Sequence, residues 1–80
     1  MRSRLISLIL KIVYQNVQEA ETNLYITDLL GNVVRNVFKA TPPATSLIEE
    51  NVNLSGLSSG IYFCILEVAG KKEVKKIIIN

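Results

Sequence analysis

Eighty residues, 49% of them hydrophobic and 20% charged, set the size of one small domain and exclude an intrinsically disordered tail. A net charge of +2 is too mild to mark a nucleic-acid partner, and the single cysteine, Cys64, rules out an internal disulfide. With no histidine, the chain lacks the commonest general base and cannot assemble a Ser-His-Asp triad. Branched aliphatic residues dominate and tryptophan is absent, which favours sheet over helix.

The start of the chain, Met1-Arg-Ser-Arg-Leu-Ile-Ser-Leu-Ile-Leu10, imitates a secretory signal. Lys11 interrupts the apolar stretch, however, and no small-x-small cleavage site follows Val13. A first strand over residues 5–14 is therefore expected. Leu5, Leu8, Ile9 and Ile12 also fit a helical stripe, but no capping residue precedes them and the rest of the chain reads as β. No stretch approaches the roughly 20 apolar residues needed to cross a bilayer as a helix.

Residues 15–21 form a polar connection, after which Leu24 and Ile26 alternate with Tyr25 and Thr27 as a half-buried strand. Asp28 and Gly31 mark a turn: the carboxylate can accept backbone N–H bonds and the glycine can take the left-handed conformation. Residues 32–38 return as a strand with Val34 and Phe38 on one face and Val33, Arg35 and Val37 on the other. Pro42 and Pro43 place a loop over residues 39–46, since each removes a ladder donor. Residues 47–54 make a strand with Ile48, Val52 and Leu54 inward. Strict alternation would also turn Glu50 inward, so a bulge near Glu49 and Glu50 is expected.

In residues 61–68, Tyr62, Cys64, Leu66 and Val68 are the expected core face, because Glu67 shares the other face with Ile61, Phe63 and Ile65. Gly60 reads as a backbone necessity ahead of this strand, and Gly70 supplies a positive φ for a final hairpin. Residues 72–79 close the sheet. The fold class is all-β: a small immunoglobulin-like antiparallel β-sandwich of about six to seven strands.

Chemistry is scarce. The acids Glu19, Glu21, Asp28, Glu49, Glu50, Glu67 and Glu73 are scattered, and adjacent strand residues such as Glu49 and Glu50 face opposite ways. No catalytic set, metal site, phosphate loop or cofactor site is expected. Cys64 reads as a small buried hydrophobe, and Tyr62 as a core ring whose hydroxyl reaches a loop backbone. Lys71, Lys72, Lys75 and Lys76 lack the aromatic neighbours of a nucleic-acid site. They suit either edge protection or an extended cationic terminus gripped by strand addition.

Three sets of residues, taken in order, carry a resemblance. These are Leu24-x-Ile-x-Asp28-x-x-Gly31 followed by Val34, then Val52-x-Leu54-x-x-Leu57-x-x-Gly60-Ile-Tyr62, then Gly70-Lys71 with the terminal Lys75-Lys76-Ile-Ile-Ile. The chain from about Leu24 to Asn80 thereby resembles the type A C-terminal sorting domain of the type IX (Por) secretion system of Bacteroidetes-type bacteria. The resemblance implies a non-catalytic signal that passes through the periplasm and delivers an upstream passenger to the outer cell surface or the medium. Its partners would be translocon components and a sortase-like peptidase. The residues most needed would be Lys75, Lys76, Ile77, Ile78, Ile79 and Asn80.

Family members begin with a Tyr-Pro-Asn-Pro-like segment that this chain lacks, so a truncated or divergent beginning is expected and no cleavage region is identified. An incomplete first strand would leave an open edge, for which a strand-mediated homodimer is one outcome. The alternative to a sorting signal is a generic immunoglobulin-like accessory domain of an extracellular protein.

Overall fold

Six runs of alternating or β-branched residues become six strands: β1 (Ile9–Gln15), β2 (Thr22–Asp28), β3 (Val33–Ala40), β4 (Leu47–Asn53), β5 (Gly60–Val68) and β6 (Lys71–Ile79). The computed structural model describes residues 9–16 and 18–80, so residues 5–8 of the expected first strand lie outside the described part. All pairings are antiparallel. β1 and β4 form a two-stranded layer, and the second layer has the order β3-β2-β5-β6. The chain is an all-β, immunoglobulin-like sandwich with no helix among the described residues.

Side chains on a strand alternate between faces, so the register determines which sets meet. Leu24 lies opposite Leu66, Ile26 opposite Cys64 and Asp28 opposite Tyr62, which places the Tyr62 set of β5 on the inner face. Ile26, Val52, Leu54, Tyr62 and Ile79 form the buried core, drawn from both layers, with Leu10, Ile12 and Ile77 packed against it. The hydroxyl of Tyr62 donates to the Ser58 carbonyl at 2.7 Å, so the ring is buried without leaving its polar end unpaired.

Two expected details are corrected. β4 pairs with β1 without a break in register, so there is no bulge at Glu49–Glu50. Glu50 stays on the inner side, half-buried opposite Ile12. The irregularities occur instead in the β2–β3 pairing, between Leu24 and Tyr25 and between Ile26 and Thr27. There the partners run Phe38, Asn36, Arg35, Val33, skipping Val37 and Val34. An extra residue on a bulged strand is released from strict alternation. Both skipped valines pack against the core, although strict alternation had placed Val34 and Val37 on opposite faces.

The final hairpin is tighter than the sequence pattern suggests, because Lys71 already pairs with Val68. Ala69 and Gly70 alone make the turn, with φ of 53° and 82°. Positive φ at both central positions is the primed turn whose twist matches that of the flanking strands. Ala69 adopts it against the preference of an L-residue with a Cβ. Ala69→Asn is therefore expected to raise stability by about 0.5–1 kcal/mol, read as a higher urea midpoint.

Candidate functional site

β6 is the outermost strand of the four-stranded layer and pairs on one side only, with β5. Its other edge carries no strand among the described residues. The register with β5 puts Lys71, Glu73, Lys75, Ile77 and Ile79 on the inner side and Lys72, Val74, Lys76 and Ile78 on the outer side. Alternation thus divides the last six residues into two groups with different roles.

Ile79 is only 7% exposed and belongs to the core, and Ile77 packs against it. Ile78, by contrast, is 61% exposed. It lies beside Ile61 on an outer face that also carries Val74, Lys76 and the half-buried Phe63 and Ile65. Lys75 sits opposite Cys64 on the inner side, and Lys76 and Asn80 face solvent. Lys72 approaches Glu67 at 3.5 Å, an exposed pair worth about 0–1 kcal/mol at most. The free backbone of β6 can therefore accept an added strand, with exposed apolar and cationic side chains beside it to discriminate between partners.

Asp28, Gly31 and Gly60 lie at the same end of the sheet as the last residues of β6. Asp28 Oδ1 accepts from the backbone N–H of Leu30 and of Asn32, each at 2.9 Å, while Oδ2 accepts from Asn32 Nδ2 at 3.2 Å. Gly31 takes φ of 92°, and Gly60, with φ of 155°, opens β5 opposite Ile79. The Asn32 backbone N–H leads in holding the Asp28 carboxyl below its ordinary value; desolvation opposes it, and the Asn32 side chain and the N–H groups of Leu30 and Gly31 add to the lowering. Because the folded carboxyl has the lower pKa, its stabilisation is complete above the unfolded value and is lost as pH falls through the folded one. The Tm advantage of the parent chain over Asp28→Asn is thus expected to shrink between about pH 6 and about pH 3. Thermal melts at the two pH values measure it.

Cys64 is a free, partly buried thiol, and desolvation pushes its pKa up against a smaller opposing effect of Lys75. It stays protonated at neutral pH and is a poor nucleophile. Among the described residues no group of three or more His, Cys, Asp or Glu side chains could hold a metal ion. Among the described residues no helix is long and apolar enough to cross a membrane.

Two organising residues escape sequence reasoning. Arg35, read only as sharing a face with Val33 and Val37, pairs in register with Ile26 and reaches across to the end of β4 and the β4–β5 connection. Its Nε donates to Asn53 O at 3.2 Å and its Nη2 to Ser55 O at 2.9 Å. Asn16, read as part of a polar connection, is buried and donates to the carbonyls of Pro42 and Pro43. The one available signal for Asn16 is a polar amide directly after an apolar strand, with a diproline elsewhere whose carbonyls need donors.

The fold is a small all-β sandwich whose last strand is a cationic edge, open among the described residues. The family model described as "secretion system C-terminal sorting domain" matches residues 6–80. The chain belongs to that family, the C-terminal sorting domains of type IX secretion. Membership implies interaction with the type IX machinery and export to the cell surface or extracellular space. Neither a curated relative nor a solved structure gives a significant match.

Proposed function

We propose that this chain is the non-catalytic signal that directs a passenger preceding it through the type IX system to the cell surface or the medium. The observation that carries this reading is the family match over residues 6–80. In the periplasm the folded sandwich presents β6 to the translocon, which reads its open edge by strand addition. Lys76, Ile78 and Asn80 supply the side chains that are read, with Lys75 on the opposite side of the strand. Ile77 and Ile79 act indirectly, by holding β6 in the fold. A sortase-like peptidase then separates the passenger from the signal. The lack of histidine and the raised pKa of Cys64 support a role without chemistry of its own.

The double variant Lys76→Glu, Ile78→Ser tests the assignment, because both side chains are exposed and surface changes of this kind usually alter stability by about 0.5 kcal/mol or less. Placed behind an inert reporter, it is expected to lower the exported fraction about tenfold or more, the loss of roughly 1.4 kcal/mol of recognition. A double variant that folds and is exported like the parent chain would show that the outer side of β6 is not read.

A further inference from the structure

The final turn sets the hydrogen-bonding phase of β6. Ala69 and Gly70 alone separate Val68 from Lys71, so the Val68 carbonyl accepts from the Lys71 N–H and the two form a hydrogen-bonded pair. From there the register runs unbroken to the pair of Gly60 with Ile79. Bonded and unbonded pairs alternate along an antiparallel ladder. Lys71, Glu73, Lys75, Ile77 and Ile79 therefore direct their N–H and C=O groups to β5. Those of Lys72, Val74, Lys76 and Ile78 point to the far edge, which carries no strand among the described residues. The same four residues turn their side chains to the outer side of the layer.

The charges on this edge select what pairs with it. β6 carries four lysines and one acid. Lys72 approaches Glu67 on β5, whereas neither Lys75 nor Lys76 has a carboxylate within ion-pair distance among the described residues. Being consecutive, these two lysines lie on opposite sides of the strand. Val74 and Ile78, 55% and 61% exposed, flank Lys76 on the outer side, and Ile77 follows Lys75 on the inner one. Cross-strand neighbours share a side, so an added strand would set one residue directly against each of these.

A second copy pairing through its own β6 does not suit these positions. Every two-fold antiparallel register that pairs most of β6 is centred on Val74, Lys75 or Lys76, and each sets at least one lysine opposite a lysine. Like charges directly opposite are destabilising. Lysines thus turn away strands that bring no carboxylate and admit one that does. We propose that the strand added to β6 carries two consecutive carboxylates that meet Lys75 and Lys76, with apolar residues opposite Val74, Ile77 and Ile78. This inference rests on the reading of β6 as the edge taken by strand addition, and it names the chemistry of the segment that takes it.

The probe is the peptide Val-Val-Glu-Glu-Val-Thr-Glu, which laid antiparallel to residues 72–78 sets its glutamates against Lys76, Lys75 and Lys72. The same peptide with lysine in place of glutamate is the control. NMR titration of the whole chain at low salt is expected to show shifts in β6 and binding about tenfold or more tighter for the acidic peptide. Hydrogen exchange reads the phase: in the free chain the amides of Glu73, Lys75 and Ile77 are protected and those of Val74, Lys76 and Ile78 are not, until the acidic peptide binds. Lys75→Gln with Lys76→Gln, both exposed positions, is expected to weaken the acidic peptide about tenfold while the thermal transition is retained. The proposal is overturned by equal affinity for the two peptides, by unchanged binding to the double variant, or by no binding up to about 1 mM. Amides of Val74, Lys76 and Ile78 already protected in the free chain would also overturn it, since the edge would then be occupied. Translocon-dependent export of a reporter without any peptide preference would sink the strand chemistry alone. Preference without such export would retain the strand chemistry and sink the sorting role.

Discussion

Asn16→Asp is expected to lower stability by about 3–5 kcal/mol, enough to unfold most of the chain at 37 °C. Asn16 is only 2% exposed. Its Nδ2 donates to Pro42 O at 3.2 Å and to Pro43 O at 2.8 Å, while its own backbone pairs with Ser46 O and Thr45 N, each at 2.8 Å. A diproline offers carbonyls but no N–H groups; Ser46 closes the loop onto the Pro43 carbonyl through its N–H and hydroxyl, and the Asn16 amide adds a donor to both proline carbonyls from outside it. Aspartate would place a carboxylate against two carbonyl oxygens in a site closed to water. Asn16→Ala removes the donor without adding a charge and should cost about 1–3 kcal/mol. Urea denaturation of both variants measures the difference; an aspartate variant within about 1 kcal/mol of the parent chain would show that the clamp is not needed.

Removal of residues 76–80 is expected to cost about 4 kcal/mol or more, comparable with the whole stability of a domain this size. The deleted segment includes Ile79, a core member, and Ile77, which packs against the core. It also takes the partners of Phe63, Tyr62, Ile61 and Gly60 on β5. Truncation to Lys75 is therefore expected to abolish the cooperative thermal transition in far-UV circular dichroism. A truncated chain that melts like the parent would contradict this core assignment. If the chain unfolds, loss of export on truncation would not distinguish a missing recognition element from a missing fold, which is why substitution at Lys76 and Ile78 is the cleaner probe.

Much of this architecture is legible in the sequence, because alternation is local. Leu24 with Ile26, and Tyr62 with Cys64 and Leu66, announce their faces within a few residues, and Glu67 indicates which β5 face is outward. Asp28 and Gly31 are legible because a carboxylate and a glycine solve a turn within five residues. What stays hidden depends on distant partners. Val37 joins Val34 against the core because the β2–β3 pairing is irregular, which neither strand shows alone. The Asn16 amide meets Pro43 across 27 positions and Arg35 meets Ser55 across 20, so no local pattern marks either contact. The division of Lys75 to Asn80 into core and surface groups follows from alternation once the inner face of β5 is known.

The most direct test of the sorting role is delivery of a reporter. The whole chain would be fused behind an inert periplasmic protein and expressed in a type IX-competent bacterium and in the same strain lacking the translocon. Reporter on the surface or in the medium of the first strain, and inside the second, is the predicted result. Retention of a folded fusion in both would contradict it and leave the chain as an accessory domain.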